Sequence, residues 1–140
     1  MSQLFEEKSL SREEENRNNW NQLELVLKEI DEFADIVIVE GQKDKKVLKN
    51  LGISKPIIRI SFQNRTYSDL IEEISSKYTR VILLSDFDEK GREMNRKLSR
   101  MLRQRGLIVN KGYRKVIGKL LRKMRISTIE ALNKRTREFT

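Results

Sequence analysis

Apolar and polar residues follow each other along the chain in two rhythms. Residues 11 to about 33 place Trp20, Leu23, Val26, Leu27 and Ile30 at three- and four-residue spacing, one stripe that predicts an amphipathic helix. Ser11-Arg12-Glu13-Glu14 stands at its start as a capping box, in which serine and glutamate satisfy backbone amides reciprocally. Trp20 lies on the stripe and reads as core rather than as a platform for a nucleobase.

From Asp35 the rhythm shortens. Ile36-Val37-Ile38-Val39, Ile57-Ile58-Arg59-Ile60, Val81-Ile82-Leu83-Leu84 and Leu107-Ile108-Val109 are short runs of the kind buried on both faces of a sheet. Helical patterns separate them: 43–51, closing at Gly52 as a left-handed cap; Thr66 or Ser68 to about 76, with Leu70, Ile71 and Ile74 inward; and 89–105, with Met94, Leu98, Met101 and Leu102 inward. Strands alternating with helices imply right-handed crossovers and a four-stranded, mostly parallel sheet flanked by helices, an α/β fold.

Beyond Gly112 the pattern turns helical again, over 113–124 and from 127 to about 135. Val116, Ile117, Leu120, Leu121 and Met124 are interleaved with Arg114, Lys115, Lys119, Arg122 and Lys123. Such a basic amphipathic helix packs one face on the sheet and offers the other to phosphates, or else lies on an acidic membrane. The near-absence of aromatic anchors weighs against the membrane. The organisation expected is an N-terminal helical extension (1–34), an α/β domain (35–110) and a basic C-terminal helical segment (111–140). The N-terminal helix is a candidate surface for a homodimer.

Composition narrows the chemistry. The 140 residues include no cysteine and no histidine, so disulfides, thiolate sites, imidazole ligands and the usual neutral-pH base are excluded. Any metal must be held by oxygen, which favours magnesium, manganese or calcium over zinc. Residues 1–89 carry 13 Lys/Arg against 18 Asp/Glu, whereas 90–140 carry 17 against three. A large, one-sided basic excess points to a nucleic-acid partner more than to a merely solvated set of helix faces. No apolar run reaches the roughly 18 residues needed to span a bilayer. The first ten residues (MSQLFEEKSL) lack a signal-peptide pattern, so a cytoplasmic, membrane-free protein is expected.

Carboxylates stand where a parallel sheet has least use for them. Glu40 follows the first strand, and Asp86 and Asp88 follow the third, both at C-terminal strand ends, the edge where open α/β sheets form their ligand crevice. Residues i and i+2 of an extended segment face the same side, so Asp86 and Asp88 aim together while Phe87 turns into apolar surroundings. Converging acids repel unless a cation neutralises them, and magnesium does so with octahedral oxygen coordination. Gly41 and Gly91 lie beside the acids, where a backbone without Cβ admits a phosphate. Lys43 and Lys90 stand close enough in sequence to touch that phosphate.

These residues resemble the TOPRIM family, shared by topoisomerases, bacterial-type primases, ribosomal-RNA maturation nucleases and OLD-type nucleases. That family carries a glutamate-glycine pair after its first strand and Asp-x-Asp-x-x-Gly after its third. Here they stand as Glu40-Gly41-Gln42-Lys43-Asp44 and Asp86-Phe87-Asp88-Glu89-Lys90-Gly91, about 46 residues apart, within a resemblance spanning 35 to about 110. The resemblance implies a Rossmann-like TOPRIM sheet, Asp86 and Asp88 as magnesium ligands (manganese as the alternative ion), and Glu40 as ligand or general acid or base. Asp44 matches an acid common in the nuclease and primase branches, and equally suits the first turn of a helix. Glu89 reads as a first-turn helix acid.

The implied activity is metal-assisted cleavage of phosphodiesters in RNA or DNA, with the basic tail giving salt-sensitive affinity for the backbone. Tyr67, Tyr78 and Tyr113 have no accompanying domain to form a topoisomerase gate, and a complete primase lacks room for its further modules. The rivals are a non-catalytic metal- and nucleic-acid-binding subunit of a larger assembly, and a primase-like nucleotidyl transferase.

Overall fold

The computed structural model describes residues 11–60 and 65–133. Its elements are α1 (Arg12–Phe33), β1 (Ile36–Val39), α2 (Gln42–Asn50), β2 (Ile57–Arg59), α3 (Tyr67–Lys77), β3 (Arg80–Leu84), α4 (Glu89–Gln104), β4 (Ile108–Asn110) and α5 (Gly112–Lys123). The strands form one parallel sheet in the order β2-β1-β3-β4. The expected elements as far as α5 all stand, with ends displaced by a residue or so.

Alternation along each strand divides the core in two. Val37, Val39, Ile82 and Leu84 face a layer built from Trp20, Leu23, Leu27 and Ile30 of α1, Val47 and Leu48 of α2, and Ile117, Leu120 and Leu121 of α5. Ile36, Ile38, Val81 and Leu83 face the opposite way, onto Leu70, Ile71 and Ile74 of α3 and Leu98 and Leu102 of α4. Both faces of the sheet are therefore covered, as the β-branched runs require. The apolar stripe of α1 is taken up by this packing, and Trp20 sits in it with its Nε1 donating to Glu24 at 2.6 Å.

Polar contacts fix the register. The Asp35 carboxylate accepts the amides of Thr79 (3.0 Å) and Arg80 (2.8 Å), and the Asp35 amide donates to the Arg80 carbonyl at 2.8 Å, so β1 and β3 start level. Gly52 and Gly106 close α2 and α4 with φ of 105° and 84°, the left-handed conformation that glycine adopts without a Cβ penalty.

Two expectations for the C-terminal segment change. Val116 is 43% exposed, because the buried face of α5 runs through Ile117, Leu120 and Leu121 and leaves the preceding position outside. Residues 128–131 form bends and turns, with helical backbone only at Leu132 and Asn133; the rest of the expected second helix lies outside the described residues. Ile126, Ile129 and Leu132 are nonetheless buried in the α1–α5 layer, which ties this stretch down.

Candidate metal and nucleic-acid site

The chain leaves β1 to one side of the sheet, towards β2, and leaves β3 to the other, towards β4. Between them lies the point where the strand order reverses, and there an open α/β sheet has a crevice at its carboxyl edge. Val39 and Leu84 are register partners at the ends of these two strands, which brings Glu40 and Asp86 to the mouth of that crevice. Glu40 Oε1 accepts the backbone amide of Asp86 at 2.8 Å.

The electrostatics of this pair are unfavourable without a cation or a proton. Burial, then the charge and side-chain contact of Glu40, then the charges of Asp88 and Glu130 push the Asp86 carboxyl up to about 6. Asp44, buried at the start of α2, accepts the Gly41 amide at 3.2 Å, yet its carboxyl is still raised, by burial first and by Asp86 and Glu130 next. Glu40, Asp44 and Asp86 line one cavity of about 360 Å³, together with Lys90.

Asp88 behaves differently. Its Oδ1 accepts the Gly91 amide at 2.7 Å and so caps α4, and it lines the neighbouring groove instead of the acidic cavity. Among the described residues no three acids are drawn into a single ligating cluster. Of the three acids expected on one ion, the fold thus joins Glu40 with Asp86, adds Asp44 to their cavity, and gives Asp88 a helix to cap. This donor set fits magnesium or manganese: all oxygen, partly buried, and matched to an ion that keeps several waters and takes one or two carboxylates.

The loop from Ser85 to Asp88 is clamped from outside. Arg114 of α5 donates from Nε to the Ser85 carbonyl (3.2 Å) and from Nη2 to the Asp86 carbonyl (2.7 Å), and its guanidinium lies 4.8 Å from the centre of the Phe87 ring. Phe87 in turn packs against Gly118, where a Cβ would stand 2.9 Å from the ring. A Cβ on Gly91 would collide with the Asp86 carbonyl, so glycine is required there by the loop's own packing. The Gly41 amide is likewise engaged, by Asp44.

The sequence-selected cations scatter over four places. Arg114, Lys115, Lys119 and Arg122 share a groove of about 630 Å³ with Asp88 and Phe87, and Arg92 of α4 joins them. Lys90 lines the acidic cavity. Lys43 lines neither; its Nζ meets Glu130 at 3.3 Å in an exposed pair of the kind worth little. Lys123 is exposed at the end of α5 and lies outside the groove lining. Arg92 and Glu130 escaped the sequence reading. Arg92 is one of several similar charges on α4, and Glu130 reaches the acids only because Ile129 and Leu132 bury their side chains beside it.

Comparisons with known proteins identify the family and the fold. A family model described as the Toprim domain matches residues 35–120. A UPF0292 protein of Thermococcus onnurineus is 37% identical over 105 residues, covering 75% of this chain and 77% of that protein. A UPF0292 protein of Pyrococcus horikoshii is 34% identical over 114 residues, covering 81% and 83%. A solved structure of a protein from Aquifex aeolicus superposes with a TM-score of 0.64 at 32% identity, covering 79% of this chain and 95% of that one. The chain belongs to the Toprim domain family, a family of metal-binding domains that process nucleic acids.

Proposed function

We propose that this protein is a small magnesium-dependent nuclease that hydrolyses phosphodiester bonds in RNA or DNA. The observation that carries the reading is the contact of Glu40 with Asp86 at the reversal point of the sheet, one loop away from a basic groove. A divalent ion held by Glu40 and Asp86 would lower the barrier by neutralising charge on the phosphoryl oxygens and on the leaving oxygen.

The chain's own groups have definite tasks in such a reaction. Glu40 holds the Asp86 backbone through its amide and, with no histidine present, is one of the cavity's carboxylates that can take a proton from water. Water adds to phosphorus, its proton passes to a carboxylate, the P–O bond breaks, and the leaving oxygen takes up a proton. Lys90 supplies an ammonium to the same cavity, where it suits a phosphoryl oxygen. Arg114 holds the Ser85 and Asp86 carbonyls and so keeps the Asp86 carboxylate from swinging away.

The test is to incubate purified protein with structured RNA, single-stranded DNA and duplex DNA, each with magnesium, manganese or chelator. Metal-dependent products from the wild type, and none from Asp86→Ala, support the nuclease.

A second reading is a non-catalytic metal- and nucleic-acid-binding subunit of a larger assembly. It is favoured by the engagement of Asp88 as a helix cap, which leaves the acidic cavity with fewer ready ligands. Binding of nucleic acid without products in every condition supports that reading.

A further inference from the structure

Two cavities of opposite character meet at the 85–88 loop. Asp86 lies in the acidic one and Asp88 borders the other, a groove whose walls carry, among the described residues, Arg92, Arg114, Lys115, Lys119 and Arg122 beside Asp88 as the one acid. The groove is also lined by the part-exposed Phe87, with the buried Leu121 and Ile126 as an apolar floor behind it. We propose that this groove seats an unpaired segment of a single-stranded nucleic acid, its phosphates on the cations and a nucleobase against the apolar lining.

Shape and chemistry select this occupant. At about 630 Å³ the groove has the size of sites that enclose a small organic group. A duplex keeps its bases stacked and paired inside, and so has no apolar face to put there. An unpaired base has one, and single strands are bound by cationic grooves that combine backbone contacts with stacking surfaces. Arg114 is suited to the second task. Its guanidinium is half-buried and held 4.8 Å from the centre of the Phe87 ring by two carbonyls, a planar group already ordered before any ligand arrives. The remaining cations, Arg92, Lys115, Lys119 and Arg122, are exposed and available to phosphates.

The location matters as much as the charge. A strand in the groove passes the loop that bears Asp86, so its next phosphate meets the acidic cavity. The proposal rests on the nuclease reading for this last step alone; occupancy of the groove does not depend on cleavage.

Fluorescence anisotropy in chelator separates the two, because the metal-dependent reaction is silenced. The probe is a labelled oligothymidylate about a dozen nucleotides long, single-stranded or annealed to its complement. The single strand is expected to bind about tenfold or more tightly than the duplex. Lys119→Glu with Arg122→Glu should weaken single-strand binding by about tenfold or more through lost phosphate contacts. Ser127→Trp, at an exposed groove position, should weaken it too without altering charge. These side chains are exposed, and thermal unfolding checks that each variant is folded. Equal affinity for single strand and duplex overturns the proposal, and so does a Ser127→Trp variant that binds like the wild type. Cleavage without groove-dependent binding would leave the nuclease and remove the groove.

Discussion

Glu40 Oε1 accepts the amide of Asp86 across 46 residues of sequence, at 2.8 Å. The bond ties the end of β1 to the loop after β3, so Glu40 has a structural task besides any chemical one. Glu40→Ala leaves a part-buried amide without this acceptor, whereas Glu40→Gln keeps an oxygen there. At about pH 5, where Asp86 is largely protonated and repulsion is small, Glu40→Ala is expected to lose about 1–2 kcal/mol and Glu40→Gln much less. Chemical unfolding of the metal-free protein measures both. Equal losses would mean that the bond contributes nothing.

The raised Asp86 carboxyl makes stability depend on pH in a direction opposite to most acids. Its folded value of about 6 lies above the ordinary 3.8, so the fold favours the protonated form. The stability this provides is complete below the unfolded value and is lost as pH rises through about 6; Asp44 acts in the same sense. Asp35 acts oppositely. Its carboxyl is lowered by the amides of Arg80 and Thr79, and its contribution is lost only as pH falls below the ordinary carboxylate range. Metal-free protein should therefore unfold at a higher temperature at about pH 5 than at about pH 7. Asp86→Asn should flatten the difference. A melting temperature that rises steadily through this window, in wild type and variant alike, would contradict the burial assigned to Asp86.

Arg114 is expected to matter more than the other α5 cations. Arg114→Ala removes both donors from the Ser85 and Asp86 carbonyls and the cation over Phe87, at a cost of about 1–3 kcal/mol. Arg114→Lys should recover only part of this, because an ammonium cannot reproduce the planar fork. Lys115→Ala and Lys119→Ala, at exposed positions, should stay within about 0.5 kcal/mol of wild type. Urea unfolding of the four variants is the comparison. An Arg114→Ala variant as stable as Lys119→Ala would remove the clamp.

Gly91→Ala tests the loop from the inside. The added methyl meets the Asp86 carbonyl, which is backbone and cannot rotate away, so the loop must move. A loss of about 1–3 kcal/mol is expected, together with weakened manganese binding, because Asp86 is displaced. At Gly118 the obstacle is the Phe87 ring, a side chain with some freedom, and Gly118→Ala should cost less. The reverse order would contradict the close approach of Gly91 to Asp86.

The fold was legible because its signals are local. Val37, Val39, Ile82 and Leu84 announce strands through β-branched and apolar runs, and Leu98 and Leu102 announce a helix face by spacing. Glu40 and Asp86 were legible because each follows such a run. The i, i+2 spacing places Asp86 and Asp88 on one side of an extended segment, and it carries no mark of the turn into α4 at which the Asp88 side chain caps the helix. The surroundings of the acids were not legible. Which cations of α5 reach the loop depends on how that helix packs on α1, and in sequence Arg114, Lys119 and Lys123 look alike. Glu130 joins the acids through the burial of Ile129, a tertiary effect with no mark in the sequence.

The most direct test of a divalent ion held between β1 and β3 is a calorimetric titration of manganese into the wild type and three variants. Glu40→Gln and Asp86→Asn are expected to weaken binding by about tenfold or more, and Asp88→Asn by less, since that side chain is engaged with Gly91. Affinity should also fall as pH drops through about 6, where a proton takes the ion's place on Asp86. Manganese binding of the same strength in Glu40→Gln, Asp86→Asn and wild type would contradict the site.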